Sequence, residues 1–195
     1  MRHILTLTVI SLFFLKSATT LAEEKIELPP FQPATVEVDG DPVRILYRSF
    51  DPGFSLGDMT PENLPQCATR TVVQAEQALA KGDRNVFLES AVDREQAARF
   101  AEHVERMSAD KRKAWSEKVL GREVVGELKV EETILVIADR RDGEDLDRKI
   151  YFVTLDDGQA MMIAVPYYLL EEVSGLKIGS GAIAKQLKTQ KLSLF

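Results

Sequence analysis

Apolar and polar positions change rhythm several times along the chain, and each rhythm predicts a different element. Ile4 to Leu15 is an apolar run broken only by Thr6, Thr8 and Ser11. Glu23 to Pro33 contains Pro29, Pro30 and Pro33, which remove backbone donors and predict an extended leader, mobile or draped. Thr35 to Val38 and Val43 to Tyr47 are β-rich runs flanking Asp39-Gly40-Asp41-Pro42, whose Asp-Gly step suits a tight turn, so a hairpin is expected. Asp51 to Pro65 has Pro and Gly but no period, and reads as a connector.

From Cys67 the period becomes helical. Val72, Val73, Glu76, Leu79 and Ala80 mark one stripe of a helix that stops at Gly82. Asp83 is placed to cap a short second helix carrying Val86, Phe87 and Leu88. Asp93, with Gln96 three residues on, is placed to cap a third helix presenting Ala97, Phe100, Ala101, Val104 and Met107. Ser108 or Asp110 opens a fourth through Trp115 and Val119, ended by Gly121. Beyond it Glu123 to Val130, Thr133 to Asp139, Lys149 to Leu155 and Gln159 to Val165 read as strands rich in Val, Ile, Tyr and Phe. Asp156-Asp157-Gly158 joins the last two tightly, so the strands form an antiparallel meander that wants one face covered by helices. The expected fold class is α+β: N-terminal helices on a curved antiparallel sheet, with an extra N-terminal hairpin.

The first apolar run also fixes an expected compartment. Arg2 and His3 precede it, Lys16 closes it, and Thr20-Leu21-Ala22 offers small residues at the positions a signal peptidase inspects. As a helix the run would rise roughly 18 Å, short of the roughly 30 Å hydrocarbon core, so a cleaved signal is expected rather than an anchor. Cleavage after Ala22 would leave Glu23 first, with no transmembrane segment in the product. Cys67, the only cysteine, is too far downstream for lipidation and has no internal disulfide partner. The destination expected is the periplasm, with secretion as the alternative.

The domain organisation expected is signal peptide 1–22, leader, hairpin and connector 23–65, α+β domain 66–172, and a basic amphipathic tail 173–195. Removing the signal takes two of 25 basic residues and none of 31 acids, so the net charge moves from −6 to −8. Such a balance argues against nucleic-acid binding. Lys177, Lys185, Lys188 and Lys191 nevertheless make the tail locally basic. Ile183, Ala184 and Leu187 form its apolar stripe, which either packs on the domain or makes peripheral contact with anionic lipid or a partner.

The stretch Gln74-Ala75-Glu76-Gln77-Ala78-Leu79-Ala80-Lys81-Gly82-Asp83, followed by Phe87-Leu88-Glu89, resembles the opening of the nuclear-transport-factor-two-like cone, also called SnoaL-like or cystatin-like. The resemblance covers residues 66 to 168 or so and implies a bent sheet around a pocket. Phe87, Phe100, Trp115, Tyr151, Phe152, Tyr167 and Tyr168 would then supply its walls, the alternative being ordinary core. The chain departs from that pattern in its N-terminal hairpin, its lysine-rich tail and the absence of histidine from its strands.

Candidate chemistry is sparse. With His3 lost, His103 is the sole imidazole, which excludes a multi-histidine metal site. Any histidine-dependent mechanism would run through it, although its spacing puts it off the apolar stripe. Cys67, near a helix start, is either a reactive thiol or a small buried residue. The acids at 139, 142, 144, 145 and 147 miss calcium-loop spacing and read as a solvated hairpin tip. Gly179-Ser180-Gly181 meets neither dinucleotide nor P-loop spacing. No metal or cofactor is implied. The function expected is non-enzymatic binding of a small apolar ligand or an exported protein. The alternatives are a pocket isomerase or hydrolase using His103 or a buried carboxylate, and an interaction or inhibitor module.

Overall fold

A computed structural model describes residues 25–38, 40–156, 159–163 and 178–189. The signal segment, Tyr167, Tyr168 and the turn at 157–158 lie outside these residues. Two strands come first, β1 (Gln32–Val38) and β2 (Asp41–Ser55); a 3-10 turn at Pro61–Asn63 leads into α1 (Ala68–Lys81), α2 (Arg84–Glu89), α3 (Arg94–Glu105) and α4 (Ala109–Leu120). Then follow β3 (Glu123–Val130), β4 (Thr133–Asp142), β5 (Asp145–Asp156), β6 (Gln159–Ile163) and α5 (Ile178–Lys188). The described strands form one antiparallel sheet in chain order, β1 to β6, and the fold is α+β.

The helix boundaries follow from local chemistry. Asp83, Asp93 and Ser108 each accept a hydrogen bond from the backbone N–H three residues on, capping α2, α3 and α4. Cys67 does the same for α1 through its sulfur, and Gly82 ends α1 at φ 80°, where a side chain would be strained. Gly40, at φ 92°, turns the β1–β2 hairpin as the Asp-Gly step predicts.

Three features differ from the sequence reading. First, β2 runs on through Ser55, so 51–55 is strand; the Pro52-Gly53 pair that breaks the pattern sits where the register with β3 shifts, between Ser49 and Phe54. Second, the hairpin is the edge of the main sheet, because β2 pairs with β3 (Arg48 opposite Glu127, for example), and α1 to α4 lie between these two neighbouring strands in sequence. Third, both faces of the sheet are covered. Ile134, Val136, Ala138, Tyr151 and Val153 face the helical layer in one apolar cluster. Leu135, Ile137, Ile150 and Phe152 face the other way, into a cluster closed by Ile183, Ala184 and Leu187 of α5. The stripe expected for the tail, Ile183, Ala184 and Leu187, is thus buried on the chain's own sheet. The leader is draped: Ile26 and Leu28 pack on the helical-side cluster, and the Ile26 N–H donates to the Asn63 carbonyl at 2.8 Å.

Candidate functional site

Alternation along β3 places a carboxylate inside the molecule. A bulge between Val124 and Gly126 shifts the parity of the strand, so that Glu127 points at the helices with no exposed surface. One oxygen, Oε1, accepts from the Thr69 N–H at 2.8 Å and from the Thr69 hydroxyl at 2.5 Å, at the positive end of α1. The other, Oε2, accepts from Arg48 Nε at 2.9 Å and Nη2 at 2.6 Å. The Arg48 guanidinium lies 4.4 Å from the centre of the Phe31 ring and donates to the Pro29 carbonyl, which ties the leader to the same node. Four hydrogen bonds occupy this carboxylate, which suits a structural anchor and leaves little capacity for a general base.

Cys67 lies beside that node. Burial pushes its thiol pKa up, the N–H of Arg70 pulls it down, and the charge of Glu127 raises it again; the balance is upward. The lowering that a helix start alone would give is outweighed, and the thiol stays protonated at neutral pH.

A second polar group sits under α1. Glu76, on the apolar stripe at 3 % exposure, accepts from Lys149 Nζ at 2.8 Å, and that ammonium lies 4.4 Å from the centre of the Tyr151 ring. Burial, then the charge of Glu76, holds the Tyr151 hydroxyl well above the ordinary tyrosine pKa. Arg122 donates to the Lys118 carbonyl and to Asp147, each at 2.8 Å. Burial alone would raise Asp147, but the hydrogen bond from Lys118 and the charges of Arg122, Lys118 and Arg140 prevail and hold it below its usual value.

A concavity open to solvent lies elsewhere among the described residues. A groove of about 720 Å³ runs along the outer end of the sheet, lined by Pro33 and Thr35 of β1, Arg44 and Leu46 of β2, and Lys129 and Glu131 at the end of β3. Thr35 is opposite Arg44, Pro33 opposite Leu46 and Leu46 opposite Lys129, so these side chains share one face. Leu46 is 40 % exposed, a large apolar side chain at the groove floor.

The residues singled out by sequence are dispersed. His103 is exposed in the last turn of α3, whereas the charged neighbours of Cys67 are Glu127 and Arg48. Phe87 is buried with its ring 6.2 Å from that of Phe100, Trp115 is half-buried against the same cluster, and Tyr151 belongs to it; none lines the groove. Tyr167 is outside the described residues. The acids expected at a solvated tip divide: Asp142, Glu144 and Asp145 are exposed, whereas Asp139 holds the buried Arg148 through two 2.7 Å contacts. Among the described residues no group of three or more His, Cys, Asp or Glu is arranged to hold a metal ion, and no helix is long and apolar enough to cross a membrane.

Comparison of the chain with family models, with curated proteins and with solved structures finds no match. Sequence reading had Glu76 in view, because it falls on the apolar stripe of α1. It missed Glu127, whose inward orientation depends on the bulge.

Proposed function

We propose that this protein is a non-enzymatic binding module of the cell envelope that takes an extended segment of a protein partner along β1. The observation that carries this reading is the position of β1 at the edge of the described strands, beside a groove with an exposed leucine. Beyond its pairing with β2, an edge strand offers backbone N–H and C=O groups at a spacing that an incoming polypeptide strand matches and a small apolar ligand does not. Leu46 supplies an apolar contact, and Arg44 and Lys129 favour carboxylates on either side of it. The packed interior supports binding over catalysis: Phe87 and Tyr151 are core residues, Glu127 is fully hydrogen-bonded, and the sole imidazole of the processed chain points to solvent.

Two further elements of this reading rest on sequence. The leader that begins at Glu23 after signal cleavage is our assignment for export, and the helix-to-sheet order supports kinship with the nuclear-transport-factor-two-like cone.

Peptide display against the purified mature protein tests the binding reading. Selected peptides should alternate apolar and acidic residues, and should slow amide exchange in β1. Leu46→Lys and Arg44→Glu should each weaken binding at least about tenfold, roughly 1.4 kcal/mol. Selected peptides that bind both variants as well as the parent, or protect another surface, would refute the proposal. Sedimentation of the protein alone distinguishes a second copy of this chain as the occupant, which would replace the partner named here.

A further inference from the structure

Pro33 and Pro42 decide which backbone groups β1 turns outward. Along an antiparallel pair, residues that exchange both hydrogen bonds with the neighbouring strand alternate with residues whose N–H and C=O point away from it. Pro42 has no N–H and stands opposite Glu37; Pro33 has none and stands opposite Leu46. Both prolines suit the non-bonding set, where a missing donor costs the ladder nothing. That leaves Gln32–Tyr47, Ala34–Ile45, Val36–Val43 and Val38–Asp41 as the bonded pairs. The last of these flanks the Gly40 turn, where a tight hairpin bonds its closing pair both ways.

Thr35 and Glu37 therefore present an N–H and a C=O each at the outer edge, and Pro33 a C=O alone. These residues also share one exposed face, whereas Val36 and Val38 are buried in the cluster closed by α5. Opposite them in β2 stand Leu46, Arg44 and Pro42. An incoming strand thus meets, at every second residue, a carboxylate at Glu37, the Arg44 guanidinium behind the short Thr35, and an apolar wall of Pro33 and Leu46. Glu131, the acid that lines the groove, follows β3 and is a strand further from this edge than Arg44.

Resting on the reading of β1 as a docking edge, we propose that the partner strand adds antiparallel through Thr35 and Glu37 and carries, from its N to its C terminus, a basic, an acidic and an apolar residue at alternate positions. Antiparallel addition lets one partner residue exchange both bonds with Thr35 and the next but one both with Glu37, the more stable pairing per residue. The basic residue stands opposite Glu37, the acidic one opposite Thr35 with Arg44 behind it, and the apolar one opposite Pro33 beside Leu46.

NMR of the mature protein tests this in two steps. In the free protein the Thr35 and Glu37 amides should exchange with solvent at least about tenfold faster than those of Ala34, Val36 and Val38, and equal or reversed rates overturn the proposal. Titration with a peptide whose core reads Lys-Thr-Asp-Thr-Leu should then shift the Thr35 and Glu37 amides. The reversed core, and a core methylated on its Asp backbone nitrogen, should each bind at least about tenfold more weakly. Methylation of either Thr nitrogen should be tolerated, because that N–H points away from β1. Glu37→Lys should switch the preference at the first core position from Lys to Glu. Docking on β1 without these preferences overturns the order proposed here and leaves the docking edge standing, whereas a titration that moves no β1 amide overturns both.

Discussion

Glu127 shows how one side chain can join four parts of a chain. Its carboxylate holds β3, the start of α1 and, through Arg48, both β2 and the leader. Glu127→Gln takes away the charge that compensates Arg48, itself only 11 % exposed, and should cost about 3 kcal/mol. Urea denaturation would report it as a lower midpoint at unchanged slope. Tyr151 makes a different prediction, in pH. Its folded-state pKa is raised, so its contribution is intact below the unfolded value near 10 and is lost as pH climbs through the folded one. The unfolded chain releases its proton first, and stability should fall with rising pH on the alkaline side. Tyr151→Phe should flatten that decline in Tm measured from pH 9 to 11. Cys67, also raised, adds to the slope with the same sign.

Helices α1 to α4 were legible because their signals are local: caps at Asp83, Asp93 and Ser108, and a stop at Gly82, act within a turn of the residue that carries them. The strands were legible as runs but not in parity or extent. The Pro52-Gly53 break reads as the end of a strand when it is only an irregularity within β2, and the bulge at Val125 decides which of Gly126 and Glu127 faces inward. The candidate site suffered most, since the Glu76–Lys149 pair and the place of Lys129 beside Leu46 in the β1 groove are made by pairings between segments distant in sequence. One clue to the covered sheet was nevertheless present. Ile134 to Ala138 are five successive apolar residues, all buried, a pattern that suits burial on both faces rather than one. The second cover is α5. Leu187→Ala should therefore cost about 3 kcal/mol, whereas Lys185→Ala on its exposed side should stay within about 0.5 kcal/mol; chemical denaturation separates them.

At the scale of the molecule, the chain crosses its own fold twice: α1 to α4 intervene between neighbouring strands β2 and β3, and α5 returns to rest on β1, β4 and β5. The leader adds a strap that begins by Ile26, a few residues beyond the expected cut at Ala22. Terminal sequencing of protein from the envelope fraction should read Glu-Glu-Lys; an intact Met1 there would remove the export assignment.

The position of α5 has a kinetic consequence. Until α5 is available, Leu135, Ile137 and Phe152 lack the helix that closes their cluster, so the nascent sheet is greasy on its rear side and prone to stick to other chains. Completion of this core must wait for α5. Were the expected export through a narrow channel to hold, that delay would be an asset, because the sheet would remain threadable until α5 has been made.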